Sequence, residues 1–297
     1  MNDQSTPDVT ILQISDLHFG PPYVHEVGEA LIRIAPGLNA DAVIVSGDLT
    51  QRAKREQFVA AKEFLARLPD VPRMVIPGNH DVPLYRVKER IADPHGLYRE
   101  IISDELNPVL EIDGAVFVGL DSTAPHSAIS NGRIRRWQLD AVQQVLTAAP
   151  LDSARIVVAH HHFAPAPDYL HDSTMPKAKR AMMRFIDLDV DMILGGHLHR
   201  AYIGNSLDIY PGRHRERGII ICQCGTSTSR RGRGREREKN SFNLIEIRKA
   251  SITITHFMYF DADAGFAANS RHTFRRGPSD LRSRSPEPSN EPARRSD

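Results

Sequence analysis

Residues 73–81 read RMVIPGNHD, and this stretch decides how the chain folds. It begins as a short apolar run and ends in an amide, an imidazole and a carboxylate at Asn79, His80 and Asp81. A short β-branched run that closes on turn residues predicts a buried strand. Three polar groups directly after such a strand indicate a functional site at its carboxyl end.

The same arrangement occurs at four other places in the chain. Asp16-Leu17-His18 follows the apolar run at residues 9–15, and Gly47-Asp48 follows the run at 41–46. His160-His161-His162 follows the run at 155–159, and Gly195-Gly196-His197-Leu198-His199 follows the run at 191–194. A single His or Asp at a strand end is more often a turn or cap residue than a ligand. Five strands that all end in metal-ligand residue types favour one shared site.

The remaining pattern predicts an α/β protein. Apolar spacing of the helical kind occurs at residues 24–35, 53–68, 134–148 and 177–186. Asp113-Gly114 between two apolar runs, 109–112 and 115–120, predicts a β-hairpin. Beyond residue 200 the runs at Ile203, 218–224, 242–247 and 252–257 predict strands with no helix between them. Residues 82–107 are polar and broken by prolines, and predict one or two short helices that form a cap beside the site.

Composition and charge exclude several classes of protein. The chain of 297 residues has 38 basic and 37 acidic side chains, so a formal net charge of +1 gives no reason to expect a nucleic-acid partner. Residues 1–8, a short N-terminal extension, include no apolar core of signal length, and no run approaches the roughly 20 apolar residues that span a bilayer. Cys222 and Cys224 are the only thiols, which excludes a disulfide framework and favours ordinary core residues. A cytoplasmic protein is expected.

Two segments have a biased composition. Residues 229–240, SRRGRGREREKN, contain six basic and two acidic side chains and lie between two predicted strands. They are expected to form an exposed hairpin loop, either as a solvated segment or as a clamp for phosphate or an acidic surface. Residues 277–297 are rich in Ser, Pro, Arg and Glu and are expected to be disordered.

The residue types at the strand ends indicate two metal ions. The candidate ligands supply carboxylate, amide and imidazole groups and no thiolate: Asp16, His18, Asp48, Asn79, His161, His197 and His199. Such a set suits Mn, Fe, Zn or Co, as divalent or trivalent ions, and disfavours a Cys-rich structural zinc site. Seven ligands are too many for one ion and about right for two ions that share one ligand. Only one of the three histidines 160–162 is needed, and strand alternation would place His161 on the face opposite the other two.

A pair of cations predicts hydrolytic chemistry. Water bound between them is expected to lose a proton near neutral pH, and the resulting bridging hydroxide can attack a phosphorus whose oxygens the metals neutralise. His80 is left over as the group expected to reach the leaving oxygen or the other phosphate oxygens. The neighbouring Asp81 is expected to set the tautomer of His80.

These ordered motifs resemble the calcineurin-like metallophosphoesterase superfamily, whose pattern is D-x-H, G-D, G-N-H-D, H and G-H-x-H. The resemblance covers about residues 9–257, and it places one metallophosphoesterase domain at residues 9–260. Within the superfamily, residues 46–50 and 119–123, SGDLT and GLDST, look most similar to bacterial class III cyclic-nucleotide phosphodiesterases and related glycerophosphodiesterases.

The resemblance implies a four-layer α/β/β/α sandwich with a dinuclear metal centre. One metal would be held by Asp16, His18, Asp48 and His199, and the other by Asp48, Asn79, His161 and His197, with Asp48 as the bridge. His80 would be the catalytic side chain at the substrate phosphate. The family usually has a proline two residues after its fourth-motif ligand. Aligning Phe163 with that proline selects His161, with His160 as the alternative.

The leading hypothesis is therefore a phosphodiesterase whose substrate is a cyclic nucleotide or another small phosphodiester. A phosphomonoesterase is an alternative, because the same chemistry cleaves either ester. Hydrolysis of a lipid-linked pyrophosphate is another, in which the basic segment Arg230–Lys239 would make peripheral contact with a membrane. A non-catalytic binding module with this fold is disfavoured, because the chain retains His80 and every ligand position.

Overall fold

The computed structural model describes residues 8–127, 131–166, 174–210, 218–233, 237 and 239–276. Its strands form two six-stranded mixed sheets. The first sheet has the order β12 (Gly265–Arg275), β11 (Ser251–Phe260), β10 (Ser241–Ile247), β1 (Val9–Ile14), β2 (Ala42–Val45) and β3 (Arg73–Val75). The second has the order β4 (Val109–Ile112), β5 (Ala115–Leu120), β6 (Ala154–Ala159), β7 (Met192–Gly195), β9 (Ile220–Gln223) and β8 (Tyr202–Asn205).

The centre of each sheet is parallel and its margins are antiparallel. In the first sheet β1, β2 and β3 are parallel, while β10, β11 and β12 alternate in direction. In the second sheet β5, β6, β7 and β9 are parallel, and β4 and β8 pair antiparallel at the two edges. The carboxyl ends of the parallel strands in each sheet therefore lie at one edge of that sheet.

The described residues include six α-helices, of which five pack on the outer faces of the sheets. The six are α1 (His25–Ile34), α2 (Arg55–Ala66), α3 (Val87–Ala92), α4 (Gly96–Ile101), α5 (Arg136–Ala148) and α6 (Ala178–Asp187). One apolar cluster joins the first sheet to α1, α2 and α4, and another joins the second sheet to α5 and α6. The third cluster contains residues of both sheets, among them Ile11, Ile44, Phe117 and Ile156. These layers confirm the predicted α/β/β/α sandwich.

The layers explain why the strand sequences are continuous apolar runs rather than alternating ones. Every residue of β1, β2, β5, β6 and β7 is buried. One face of each strand packs on the opposite sheet and the other packs on a helix, so neither face can be polar.

The predicted helices are present with small shifts of their ends. On α6 the apolar residues Ala178, Ala181, Met182 and Phe185 form the buried face. On α5 Leu139, Val142 and Leu146 are buried, whereas Trp137 is 55% exposed and does not belong to the buried face. The first sheet extends to Arg275 through β12, which lies beyond residue 260, the predicted end of the domain. This edge strand is mostly exposed and polar, so its sequence carried no apolar signal.

The predicted cap contains two short helices, α3 and α4. Tyr98 of α4 is fully buried and donates a hydrogen bond to the carbonyl oxygen of Val75, 3.1 Å away, which attaches the segment to the end of β3. The exposed side chains Val87 and Ile91 belong to α3. Before α3, Val82 and Leu84 line the cavity described below.

The segment at residues 229–240 is less exposed than predicted. Ser229 and Asn240 are buried, and Arg231 is half-buried against the site rather than solvated. Residues 234–236 and 238 of this segment lie outside the described residues, as do residues 1–7 and the tail predicted to be disordered, 277–297.

The thiols have the predicted structural role. Cys222 and Cys224 are both buried and no disulfide joins them. Burial raises the pKa of Cys222 to about 12, which makes its thiolate scarce at neutral pH. Among the described helices, none combines the length and the hydropathy that a membrane span requires.

Candidate metal centre

The predicted site residues converge at the edge where β1, β2, β3, β6 and β7 end. They border a cavity of about 590 Å³ whose wall includes Asp48, Asn79, His80, His197 and His199. The turns that carry them are tight, with left-handed backbone at several ligand positions: φ is 53° at Asp16, 52° at His18, 54° at Asp48, 72° at His197 and 52° at His199. Non-glycine residues seldom adopt this conformation, and such strain concentrates at functional sites.

Four of the predicted ligands form one compact cluster. Asp16, His18, Asp48 and His199 are buried, and their ligand atoms all lie within 4.8 Å of one another. Nε2 of His18 is 2.9 Å from Nε2 of His199, and the latter is 3.1 Å from Oδ1 of Asp16. Imidazole nitrogens that point at one another and at a carboxylate oxygen are typical of ligands around a common cation.

In each carboxylate of this cluster, one oxygen accepts hydrogen bonds from the protein and the other oxygen is available to a cation. Oδ2 of Asp16 accepts hydrogen bonds from the Ser15 hydroxyl at 2.6 Å and from the His197 amide at 3.0 Å. Oδ1 of Asp48 accepts a hydrogen bond from the His80 amide at 2.8 Å. The other oxygens, Oδ1 of Asp16 and Oδ2 of Asp48, are buried and make no hydrogen bond within the described part of the chain. Buried acceptors of this kind require a partner, and a cation supplies it.

The protonation states suit cation binding. Burial would raise the pKa of Asp16, but the neighbouring imidazoles of His18 and His199 outweigh it and hold the pKa well below its usual range. Burial lowers the pKa of His18 to about 4 and holds that of His197 well below its usual range. At neutral pH Asp16 is therefore ionised and the imidazoles of His18 and His197 are neutral, which are the forms that bind metals.

A second group of ligand atoms adjoins the first through Asp48. Oδ1 of Asn79 is 2.8 Å from Nδ1 of His197 and 3.2 Å from Nε2 of His160. The same Nε2 of His160 is 3.3 Å from Oδ2 of Asp48, and this oxygen is 3.7 Å from Nε2 of His18 in the first cluster. Oδ2 of Asp48 thus lies between the two groups.

The second group contains His160 where the sequence analysis selected His161. β6 ends at Ala159, so strand alternation does not continue into the three histidines. All three rings pack near His197, with centroid separations of 5.3 Å for His160, 4.6 Å for His161 and 5.8 Å for His162. Nδ1 of His161 contacts the Ser122 hydroxyl at 2.8 Å, whereas His160 is the one that reaches both Asn79 and Asp48. Of the three histidines, His160 is thus the one with a ring nitrogen beside both Asn79 and Asp48.

His80 lies beside the first cluster, and the carbonyl oxygen of Gln51 sets its tautomer. Nδ1 of His80 is 2.9 Å from this oxygen, which can only accept, so Nδ1 carries the proton. Nε2 is 3.2 Å from Nη1 of Arg231, at the wall of the cavity. The prediction that Asp81 sets this tautomer is wrong. The Asp81 carboxylate accepts hydrogen bonds from the backbone amides of Leu49, Thr50 and Gly78, and so joins the turns after β2 and β3.

Several supporting residues were missed by sequence reasoning. Ser15, Gln51, Ser122 and Arg231 contact Asp16, His80 and His161 from four separate segments. Ser15 precedes a motif residue, but a serine before an aspartate is too common to be a signal. The partners of the other three are set by how loops pack together.

Gly78 shows how closely the turns approach. A Cβ atom at this position would lie 2.2 Å from Oδ1 of Asp48 and 2.4 Å from the backbone nitrogen of Asp48. We expect Gly78→Ala to displace Asp48, to lower the free energy of unfolding by about 1–3 kcal/mol through overpacking and to reduce bound metal. Gly37→Ala is the matched control, because a Cβ there meets nothing within 4 Å. Chemical denaturation and metal analysis of both variants check this, and equal behaviour of the two would contradict it.

The fold and the site define a class: double-sheet α/β proteins with buried carboxylate, amide and imidazole ligands at the carboxyl ends of their parallel strands. The family model for calcineurin-like phosphoesterases matches residues 9–201, and the chain belongs to this family. This match contains every predicted ligand and His80.

Similar proteins agree with this assignment. A protein of Rhodococcus erythropolis described as a probable cyclic nucleotide phosphodiesterase is 30% identical over 174 residues, which are 56% of this chain and 54% of that protein. The chain thus matches about half the length of this curated relative. The structure of the purple acid phosphatase PPD1 from yellow lupin (Lupinus luteus) seeds has a TM-score of 0.67 at 13% identity, covering 95% of this chain and 56% of its own. The structure of PhoD has a TM-score of 0.66 at 11% identity, covering 91% of this chain and 70% of its own. At these identities the two structures show the fold alone.

Proposed function

We propose that this chain is a dinuclear metal-dependent phosphohydrolase that cleaves phosphodiester bonds, with cyclic nucleotides or other small phosphodiesters as substrates. The observation that carries the proposal is the position of Oδ2 of Asp48, a buried acceptor that lies between two groups of ligand atoms. Support for a diester comes from the curated relative, which is described as a probable cyclic nucleotide phosphodiesterase.

The first metal ion would be held by Asp16, His18, Asp48 and His199, and the second by Asp48, Asn79, His160 and His197. When bound, two cations would neutralise phosphate oxygens and acidify the attacking water. The residues fit such ions because both carboxylates have one oxygen fixed by the protein and the other directed inward. Mn, Fe, Zn and Co all accept these oxygen and nitrogen donors.

His80 would act at the substrate rather than on a metal. Its Nδ1 proton is committed to the Gln51 carbonyl oxygen, so the ring presents Nε2 to the cavity. When the ring is doubly protonated, Nε2 can donate a hydrogen bond to a phosphate oxygen or give its proton to the leaving oxygen. The turn formed by Gly78, Asn79 and His80 places this ring beside His18, with ring centroids 4.8 Å apart.

The proposal is tested by hydrolysis with metal-reconstituted protein. Protein stripped of metal is loaded separately with Mn, Fe, Zn or Co and assayed with bis-p-nitrophenyl phosphate, p-nitrophenyl phosphate, cyclic AMP and glycerophosphodiesters. We expect metal-dependent hydrolysis, with the diesters preferred to the monoester. A preference for p-nitrophenyl phosphate would indicate the phosphomonoesterase instead. Absence of any hydrolysis with every metal would overturn the proposal.

The choice between His160 and His161 is tested by a pair of variants. We expect His160→Ala to reduce the metal content by one ion per chain, because its Nε2 is the atom near Asn79 and Asp48. His161→Ala is expected to keep both ions, because its Nδ1 contacts Ser122. Inductively coupled plasma mass spectrometry gives the stoichiometry, and thermal unfolding verifies that each variant folds. The reverse pattern of metal loss would restore His161 as the ligand.

A further inference from the structure

Arginine side chains surround the cavity beside the metal centre. Four of them line it: Arg52, Arg90, Arg231 and Arg233. In the portion of the chain that the structure describes, none of the four forms an ion pair with a carboxylate. Elsewhere on the surface arginines do so, as in Arg55 with Glu100 and Arg67 with Glu29. The cavity therefore has several guanidinium groups that no described carboxylate contacts directly.

Arg231 is the innermost of the four. Its Nη1 donates a hydrogen bond to Oε1 of Gln51 at 2.9 Å and lies 3.2 Å from Nε2 of His80. These contacts hold a half-buried guanidinium at the cavity wall. Arginine has five N–H donors in a planar fork, and a single nitrogen accounts for both contacts. No described carboxylate contacts this half-buried cation directly, and a bound anion would supply that contact.

The other three arginines come from separate segments, each with its own anchor. The backbone amide of Arg233 donates to the carbonyl oxygen of His199 at 3.0 Å, which ties this loop to a metal-ligand residue. The Arg52 guanidinium lies 5.4 Å from the centre of the Tyr85 ring. Nη1 of Arg90 donates to the carbonyl oxygen of Pro83 at 3.0 Å. The guanidinium groups of Arg52 and Arg90 and the backbone of Arg233 thus have fixed positions at the cavity wall.

The amount of positive charge exceeds what a simple diester needs. A cyclic mononucleotide carries one negative charge, on the phosphate that the metal ions would already neutralise. Four further guanidinium groups in the same cavity fit an additional, more highly charged group. Phosphate suits them best, because its oxygens accept paired hydrogen bonds from the planar fork of arginine.

We propose that Arg52, Arg90, Arg231 and Arg233 form an anion subsite that binds a second phosphate of the substrate, separate from the phosphate that is hydrolysed. The inference rests on the proposed phosphodiesterase function and narrows its substrate class. It favours small diesters that bear another phosphate group over cyclic mononucleotides.

Two esters that differ only in the second phosphate test the subsite: thymidine 5′-(p-nitrophenyl phosphate) and thymidine 3′-phosphate 5′-(p-nitrophenyl phosphate). With metal-reconstituted protein we expect the second ester to have a kcat/KM about 10–100-fold higher, mostly through KM, as for charge-assisted hydrogen bonds. In the Arg231→Gln/Arg233→Gln double variant the ratio is expected to fall towards one. Arg271→Gln is the control, since this exposed arginine pairs with Glu246 on the first sheet and should leave the ratio unchanged.

The ratio separates the subsite from an effect through His80. A change that acts only through His80 lowers kcat for both esters and leaves their ratio intact. Calorimetry provides a readout without turnover: thymidine 3′,5′-bisphosphate should bind more tightly than thymidine 5′-phosphate, and the double variant should lose this preference. Equal kcat/KM for the two esters, a ratio that survives in the double variant, or equal binding of the two nucleotides would overturn the subsite alone. Hydrolysis of neither ester would overturn the proposed function.

Discussion

Asp48→Ala is expected to lower kcat/KM for a diester substrate by about 10³-fold or more, because two bound cations supply several kcal/mol of transition-state stabilisation and each 1.36 kcal/mol is a factor of ten. Oδ2 of Asp48 is 3.3 Å from Nε2 of His160 and 3.7 Å from Nε2 of His18. The substitution removes this oxygen from both groups of ligand atoms, the one around His18 and the one around His160. Metal content, measured by mass spectrometry, should fall towards one ion per chain or none.

A control at the opposite end of β2 separates this effect from a general loss of structure. Asp41 precedes β2 at its amino end, and its carboxylate accepts a hydrogen bond from the Thr10 amide at 2.7 Å. Asp41→Ala removes a carboxylate that supports the pairing of β1 and β2, and is expected to keep the metal ions and the activity. Asp48→Ala protein that binds two metals and retains full turnover would show that Asp48 is no bridge.

His80→Ala is expected to lower kcat by about 10²–10⁴-fold, the usual effect of losing a positioned proton-transfer group, while both metals stay bound. The reason is its set of contacts: Nδ1 faces the Gln51 carbonyl oxygen and Nε2 faces Arg231 and the cavity. The contact of this residue with Asp48 is made by its backbone amide, which the substitution retains. Single-turnover kinetics and metal analysis on the same sample check both parts.

His25→Ala serves as the control for His80, because His25 is an exposed residue at the start of α1. It should change neither kcat nor metal content. Loss of metal in the His80 variant, with a proportional loss of rate, would show instead that His80 is a ligand. An unchanged kcat with both metals present would remove it from the reaction altogether.

The turns at the strand ends connect the site to the folding of the chain. Asp81 is buried, and its carboxylate accepts hydrogen bonds from the backbone amides of Leu49, Thr50 and Gly78. Burial and the charge of Asp48 raise its pKa to about 7. The same carboxylate thus fixes the relative position of the turns that deliver Asp48 and Asn79. The left-handed backbone of Asp16, Asp48 and His197 indicates that these turns are held by the packing around them.

Much of this arrangement could be predicted from residue order. Apolar runs such as 9–15 and 155–159 indicated strands buried on both faces, and the polar residues after them indicated where a site would form. The Asp113-Gly114 hairpin and the apolar face of α6 were recognisable from local rules of turn and helix formation. The edge strand β12 was not, because a polar, exposed strand has no distinguishing periodicity.

What the sequence by itself determined is the layered α/β fold, the family and the chemical nature of the ligands, because these depend on residue types at fixed spacing along the chain. The tertiary structure decided which atoms meet. It placed His160 rather than His161 beside Asn79, and it brought Arg231 to the cavity wall. It also placed the Gln51 carbonyl oxygen, rather than the Asp81 carboxylate, where it sets the tautomer of His80. The physical reason is that these contacts join segments distant in sequence, through loops whose course follows from packing and leaves no periodic signal.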